Sequence, residues 1–78
     1  MQQMTTDRIV GKNIRKARRA HKLTQDQVAA RLQVQGCDIS RSTYAKIEIG
    51  IRRISLDELK AIKEVLKVLS YDELFRGE

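Results

Sequence analysis

The stretch KLTQDQVAARLQVQGCDISRSTYAKIEIG, Lys22 to Gly50, contains two helix starts of the same kind. Thr24 precedes a helix-forming run and is followed three positions later by Gln27. A hydroxyl and an amide at this spacing form a capping box, in which each side chain accepts a hydrogen bond from the other residue's backbone N–H. Ser40 opens the second run in the same way, with Thr43 in the third position. The stretch therefore predicts two short helices, 25–35 and 41–49.

Two further starts of this kind follow, at Ser55 with Glu58 and at Ser70 with Glu73. The chain of 78 residues contains no proline and only four glycines, which favours helices over a turn-rich β fold. Apolar residues recur at helical spacing in each run and also near the N-terminus. The sequence thus predicts an all-α fold of five helices: 7–20, 25–35, 41–49, 56–68 and 71–76.

The apolar stripes of these helices predict one hydrophobic core rather than a cofactor site. Gly36 and Gly50 stand where the second and third helices are expected to stop. No linker or low-complexity segment divides the chain, so we expect a single domain over 7–78. The residues before the first predicted helix, 1–6, are expected to form a flexible N-terminal tail. The predicted core positions are Val10, Ile14, Ala17, Val28, Ala29, Leu32, Ile39, Tyr44, Ile47, Ile51, Leu59, Ile62, Leu66, Leu69, Leu74 and Phe75.

The charge of the chain is positive and unevenly distributed. Its formal net charge is +6 and its pI about 9.9. Residues 1–53 carry twelve Lys or Arg against four Asp or Glu, whereas residues 54–78 carry four against six. The basic N-terminal part, residues 1–53, suggests a surface for a polyanion such as nucleic acid. The same charge also fits a surface that only confers solubility.

Composition excludes several classes of site. Cys37 is the only cysteine and His21 the only histidine, so an internal disulfide and the usual zinc-ligand sets are excluded. We expect no metal, cofactor or catalytic residues, since no acid pair lies in a predicted cleft. The N-terminus lacks the plan of a signal peptide, and no apolar run approaches the ~20 residues of a membrane span. The expected location is the cytoplasm, with no membrane role.

Two charged residues fall on apolar stripes. Arg18 lies four positions after Ile14 in helix 1, and Glu48 lies four positions after Tyr44 in helix 3. A buried lone charge is costly, so such residues normally find a partner. The simplest prediction is that Arg18 and Glu48 form an ion pair between helices 1 and 3. The alternative is that both side chains extend to the edge of the core and remain in water.

The outward face of helix 3 carries hydrogen-bond donors around a small residue. Arg41 and Ser42 lie at its start, and Lys46 follows one turn later beside Ala45. This pattern suits a helix in the DNA major groove, where Arg and Lys donate to guanine edges and Ser serves either base type. The amino-terminal half of a recognition helix is the part that reaches base edges.

Candidate phosphate ligands surround this helix. The start of helix 2 offers free backbone N–H groups and a positive dipole end beside Thr24 and Gln25. Lys22 precedes that start, and Arg52 and Arg53 follow helix 3. Helix 1 adds four charges that are equally well explained as solvated surface: Lys12, Arg15, Lys16 and Arg19.

The runs KLTQDQVAARL, ISRSTYAKIEIG, ISLDELKAIKEVLKV and SYDELF together resemble the helix-turn-helix domain of phage repressors, Cro proteins and XRE transcriptional regulators. The resemblance spans about Val10 to Phe75. It implies a compact lambda-repressor-like domain in which helices 2 and 3 form the helix-turn-helix, Gln25 contacts phosphate, and an Arg in helix 1 pairs with a Glu at the end of helix 3. The residues that match the family's base-reading positions are Arg41, Ser42, Thr43 and Lys46.

The chain departs from the family pattern between helices 2 and 3. The family has a tight glycine-containing turn directly after the position of Leu32, whereas this chain has QVQGCD at 33–38. We expect helix 2 to run on by a turn and stop at Gly36, with a loop before Ile39. The lengthened 33–39 connection can change the angle of helix 3. Cys37 is expected there as a passive, partly buried residue, and Lys22 occupies a position where the family often has glycine.

The resemblance implies a regulator, a probable repressor, that binds double-stranded DNA as a homodimer. Leu74, Phe75 and the face of helix 4 are candidates for the dimer surface, or they only close the core. The alternative function is an antitoxin-type module that binds a toxin and regulates its own operon, and polymerase is another candidate protein partner. Too few aromatic residues are present to favour a single-strand binder. An enzyme is the least supported class.

Overall fold

The computed structural model describes residues 5–77, which form five α-helices and no strand. The all-α, five-helix prediction is confirmed, and every predicted helix matches an observed one. The predicted tail lies mostly outside the described residues. Its last two positions differ from the prediction, because Thr5 caps the first helix and Thr6 begins it. The helices are α1 Thr6–Ala20, α2 Gln25–Val34, α3 Arg41–Glu48, α4 Leu56–Val65 and α5 Tyr71–Phe75.

Side-chain caps fix the starts of the helices that form the candidate site. The Thr24 hydroxyl accepts from the Gln27 backbone N–H at 3.1 Å, and the Gln27 amide oxygen accepts from the Thr24 N–H at 2.8 Å. Ser40 caps α3 by accepting from the Thr43 N–H at 3.2 Å. These bonds satisfy backbone groups that a helix start leaves without partners, so local sequence alone sets where α2 and α3 begin.

The four longer helices all end at a residue in the left-handed conformation. After α2 and α3 this residue is glycine, Gly36 and Gly50, as predicted. After α1 and α4 it is a lysine, Lys22 and Lys67, each with a φ of 56°. An L side chain in this conformation costs roughly 1–2 kcal/mol. Because Lys67 turns the chain, α4 ends at Val65 and the prediction that it continues to 68 is wrong.

The core lies where α1 packs against α3 and α5, and where α2 packs against α3 and α4. Most of the predicted core residues are buried, with Tyr44 and Ile14 among the largest. Three core predictions are wrong: Leu69 is 89% exposed, and Ile51 and Phe75 also lie at the surface. The turn at Lys67 explains Leu69, because it interrupts the helical spacing on which that prediction rested.

The crossing of α1 and α3 depends on Gly11. A Cβ atom at this position would lie within 2.6 Å of the Glu48 carbonyl oxygen and still closer to that of Ile47. No side chain therefore separates the two helices, and the last turn of α3 rests directly on α1. This contact fixes the carboxyl end of α3 while its amino end points outward.

Asn13 and Lys63 hold the short helix α5 in place. The Asn13 amide donates to the carbonyl oxygens of Leu74 and Arg76, each at 2.9 Å. Lys63 of α4 places its Nζ 5.1 Å from the centre of the Tyr71 ring, within the range of a cation–π contact.

Within residues 5–77 no helix is long and apolar enough to cross a membrane.

Candidate nucleic-acid interface

Helix α3 has one buried and one exposed side. Tyr44, Ile47 and Glu48 are buried, and Arg41 and Lys46 are exposed on the other side. Of the other predicted base-reading residues, Ser42 is exposed, whereas Thr43 is half-buried. Ala45 is half-buried, and because its side chain is small, it leaves a shallow depression in the middle of the exposed side of α3. A row of donors around a small residue leaves room for a base edge to approach the helix.

The first turn of α3 is held by hydroxyl groups. The Ser40 hydroxyl donates to the Thr43 hydroxyl at 3.0 Å and lies 3.2 Å from that of Ser42. Thr43 is therefore tied to the helix cap, and its role in the structure is first to position the turn. Ser42 keeps further hydrogen-bonding capacity toward solvent, because a hydroxyl has one donor and two acceptor positions.

Arg41 has an acidic neighbour that the sequence analysis did not single out. Asp26, in the first turn of α2, lies with its Oδ1 3.6 Å from Arg41 Nε. Both side chains are largely exposed, 61% for Arg41 and 77% for Asp26. At this distance and exposure the attraction is weak. Asp26 thus restrains a candidate base-reading arginine without fixing it.

The other end of α3 is fixed by a buried ion pair. Arg18 Nε donates to Glu48 Oε2 at 2.6 Å, and Arg18 Nη2 donates to Glu48 Oε1 at 3.1 Å. The side chains are only 12% and 1% exposed. Arg18 Nη1 also donates to the Leu23 carbonyl at 2.8 Å, and the Gln25 amide donates to Glu48 Oε1 at 3.0 Å. One carboxylate therefore joins α1, α2 and α3.

The electrostatics of this cluster keep both charges in place. Burial alone would raise the pKa of Glu48, but Arg18, the neighbouring Tyr44 hydroxyl and Gln25 together outweigh it and hold that pKa below its usual range. The hydrogen bond to Glu48 raises the pKa of Arg18. Burial raises the pKa of Tyr44, whose hydroxyl is buried without a hydrogen-bond partner among the described residues. The tyrosine stays neutral beside the ion pair.

The candidate phosphate ligands fall into two groups. Lys22, Thr24 and Arg53 are exposed, with Lys22 and Thr24 beside the start of α2. Gln25 and Arg52 are partly buried and already have protein partners. Arg52 forms a fork with Glu58, in which both its Nη atoms donate to the carboxylate at 2.9 Å. Arg52 thus also braces the loop after α3 against α4.

The Arg52–Glu58 fork shifts both groups toward their charged forms. The hydrogen bond from Arg52 lowers the pKa of Glu58, and the same bond raises the pKa of Arg52. Glu58 also completes the capping box of α4 by accepting from the Ser55 N–H at 3.0 Å. Its carboxylate therefore serves a helix start and an ion pair together.

The lengthened connection follows the expected course only in part. Helix α2 continues to Val34 and stops at Gly36, and the Cys37 N–H donates back to the Leu32 carbonyl at 2.9 Å. Cys37 is a half-buried free thiol packed against the core, and burial raises its pKa. Ile39 is buried and Ser40 begins the next cap. The prediction of one extra turn is too long: α2 extends only two residues past Leu32, about half a turn, and the remaining residues form a short loop.

What sequence reasoning missed is mainly the contacts that its candidate residues make within the protein, together with the residue Asp26. Gln25 was assigned to phosphate, Arg52 to phosphate, and Arg41 to bases, but each also contacts a carboxylate of the chain. The sequence identified Glu58 only as the capping partner of Ser55, and the only local signal for Asp26 was its place in the first turn of a helix, where acids are common for another reason. No group of His, Cys, Asp and Glu residues suited to a metal ion occurs within 5–77.

A family described as helix-turn-helix matches residues 14–74, most of the chain and all of α2, α3 and α4. No curated protein and no solved structure matches the chain significantly.

Proposed function

The chain belongs to the helix-turn-helix family of DNA-binding regulators, and we propose that it is a sequence-specific transcriptional regulator that inserts α3 into the major groove. The observation that carries this proposal is the two-sidedness of α3. Its carboxyl end is locked by a buried ion pair, while Arg41, Ser42 and Lys46 project from the exposed side. A rigid helix with free donors at its start is what base recognition requires.

Base reading falls to the exposed donors in this proposal. Lys46 is exposed and has no acidic partner within 4.0 Å among the described residues, so its ammonium group is free to donate to guanine. Arg41 reaches a base after leaving Asp26, and Ser42 serves a neighbouring position. Thr43, tied to Ser40, contributes chiefly by holding the first turn.

Phosphate binding falls to the start of α2 and to the exposed cations near it. Thr24 and the free N–H groups of α2 present the positive end of the helix dipole, and Lys22 and Arg53 add charge. The Gln25 amide has two N–H groups. Because Glu48 accepts from one of them, the second can be directed at a phosphate, and the buried ion pair then orients a DNA contact.

Control by occupancy of a promoter, and hence repression, is the regulatory mode that we propose. A homodimer on a two-fold site would place each α3 in a major groove about one helical turn from the other. Leu74 is fully buried and closes the core, so it is not available to a dimer surface, whereas Phe75 is exposed.

The free Cys37 agrees with the reducing cytoplasm, and no enzymatic step is part of the proposal.

Selection of bound sequences from a random pool of DNA duplexes tests this function. We expect one enriched motif for the wild type, and a relaxed motif with affinity lower by roughly 1–3 kcal/mol for Lys46→Ala. Arg53→Ala serves as the matched control, because loss of a phosphate contact weakens all sequences alike and reduces the salt dependence. Equal losses on specific and random duplexes for Lys46→Ala would remove Lys46 from base reading.

The antitoxin-type module remains a second proposal, supported by exposed apolar side chains in and just before α5. Leu69, just before α5, and Tyr71 and Phe75 within it are each exposed. Such a patch favours a protein partner over a chain that only binds DNA. A toxin-sized reading frame beside this gene, whose product co-purifies with the chain on co-expression, is the expected result. No binding of that product would exclude this function.

A further inference from the structure

An open groove of about 410 Å³ lies between the second half of α1 and the segment that leads from α4 into α5. Its apolar residues include Ala17 and Ala20, whose small side chains leave the space open, and the exposed Leu69. We call it the α1–α5 groove. Its lining is Asn13, Lys16, Ala17, Ala20, His21, Leu66, Lys67, Val68, Leu69, Glu73, Leu74 and Arg76.

The charge of the groove is positive. Lys16 comes from α1, Lys67 from the turn after α4, and Arg76 from the end of α5, and His21 lies among them. Glu73 is the one acid in the lining, and its carboxylate already accepts from the backbone N–H groups of Leu69 and Ser70, at 3.0 and 3.4 Å. Three cations from three parts of the chain therefore outnumber the single carboxylate around this partly apolar space.

The groove lies on the side of α1 away from the proposed DNA-reading helix. Gly11 and Arg18 face α3, as the Gly11 crossing and the Arg18–Glu48 pair show. Asn13 and Ala20 follow them by two positions each, and two residues turn an α-helix by about 200°. A molecule in the groove would therefore leave the exposed side of α3 free.

We propose that the α1–α5 groove is a docking site for an acidic, amphipathic segment of a partner protein. The cations require an anion, and the apolar lining with Leu69 requires a large apolar side chain beside it. DNA supplies charge without that apolar group, and no Phe, Tyr or Trp side chain lines the groove for base stacking. A small molecule would be poorly enclosed by so open a space. A helix with leucines one turn apart and glutamates beside them supplies both features.

The test uses the full chain and a short, fluorescein-labelled helical peptide of that design. We expect binding by fluorescence anisotropy, weakened by salt. In the ¹⁵N-labelled protein, we expect amide shifts concentrated at Ala17, Ala20 and Leu69. Two control peptides separate the contributions, one with lysines in place of the glutamates and one with alanines in place of the leucines. Equal binding of all three peptides, shifts confined to another surface, or no binding would overturn the proposal.

Matched variants test the two features of the groove separately. Replacing both Lys16 and Arg76 by Glu should lower the affinity for the acidic peptide by about tenfold or more, because attraction between the charges becomes repulsion. The same reversal at Lys12 and Arg15, exposed but outside the lining, should change affinity far less. Equal losses in the two double variants would mean that only net charge matters, and would overturn the site.

The apolar feature has an equally close control. Leu69 and Val34 are both 89% exposed, but only Leu69 lines the groove. Leu69→Asn should lower the affinity for the peptide several-fold, whereas Val34→Asn should leave that affinity unchanged. The groove proposal also predicts that the peptide does not displace a bound DNA duplex. Since the affinities for the peptides are measured without DNA, failure of the groove and failure of DNA binding are separate results.

Discussion

Two ion pairs hold helix α3, one at each end, and they differ in nearly every respect except their chemistry. Arg18 and Glu48 meet at 2.6 Å in the interior, joining the end of α3 to α1. Arg41 and Asp26 lie 3.6 Å apart in water, beside the start of α3 and of α2. Breaking the buried pair would leave an unpaired charge in the interior, which is costly. Breaking the exposed pair costs little, because water solvates both charges.

The difference indicates how the domain divides its charges between stability and recognition. At the buried end, Glu48 also accepts from Gln25, so three helices are fixed relative to one another. At the exposed end, nothing beyond a weak attraction holds the Arg41 side chain. A fixed carboxyl end and an adaptable Arg41 side chain at the amino end suit the proposed entry of α3 into the major groove, at a set angle and with adjustment to the bases.

The largest expected effect is loss of the buried pair. Glu48→Gln keeps the shape of the side chain but leaves Arg18 without its counter-charge, so we expect a loss of about 3 kcal/mol in the free energy of unfolding. For a domain of this size the melting temperature should fall by more than ~10 °C, measured by circular dichroism. Asp26→Asn is the matched control at the exposed pair. A melting shift of Glu48→Gln no larger than that of the control would contradict the comparison.

Acid should remove the contribution of the buried pair. The folded chain holds the pKa of Glu48 below its usual range. The pair therefore contributes fully above the unfolded carboxyl pKa of about 4.3, and its contribution is lost as the pH falls through the folded pKa. Urea unfolding of the wild type and Glu48→Gln should give free energies that converge as the pH is lowered from neutral. A constant difference across that range would show that the charge of Glu48 is not the cause.

Asp26→Asn should act on DNA binding rather than on stability. We expect the free energy of unfolding to change by less than about 1 kcal/mol, because the pair is exposed. Affinity for random duplexes should rise about threefold, since an acid beside the proposed phosphate contacts is removed and Arg41 is released. Asp57→Asn is the control, because Asp57 also occupies the second position of a helix, that of α4. An equal rise in both variants would leave Asp26 without a special role.

The smallest expected effect is removal of the Tyr44 hydroxyl. That hydroxyl is buried beside the ion pair and has no partner among the described residues. Tyr44→Phe should therefore change the free energy of unfolding by less than about 1 kcal/mol, measured by urea unfolding. A large loss for the phenylalanine variant would place the hydroxyl inside the hydrogen-bonded cluster.

Much of the fold was predictable because its signals are local. Thr24, Ser40 and Ser55 mark helix starts through bonds that span only three residues, and Gly36 and Gly50 mark two helix ends. The end of α4 was not predictable, since Lys67 in the left-handed conformation carries no such signal. The error at Leu69 follows directly from that turn.

The candidate site was predictable in composition but not in connection. Exposed donors on α3 follow from helical spacing, and Ser42 and Lys46 are exposed as that spacing requires. The partners of Gln25, Arg52 and Arg41 depend on distances between helices, which no local pattern reports. The same is true of the α1–α5 groove, whose lining comes from distant parts of the chain.

The sequence by itself determined the five helices, the apolar side of each and the excess of positive charge, because caps, spacing and composition act within a few residues. Only the tertiary structure decided how closely α1 and α3 approach at Gly11 and which charged side chains lie within hydrogen-bonding distance. It also decided which donors remain free for another molecule. The physical reason is that an ion pair depends on separation and on exposure to water, and both are set when the helices pack.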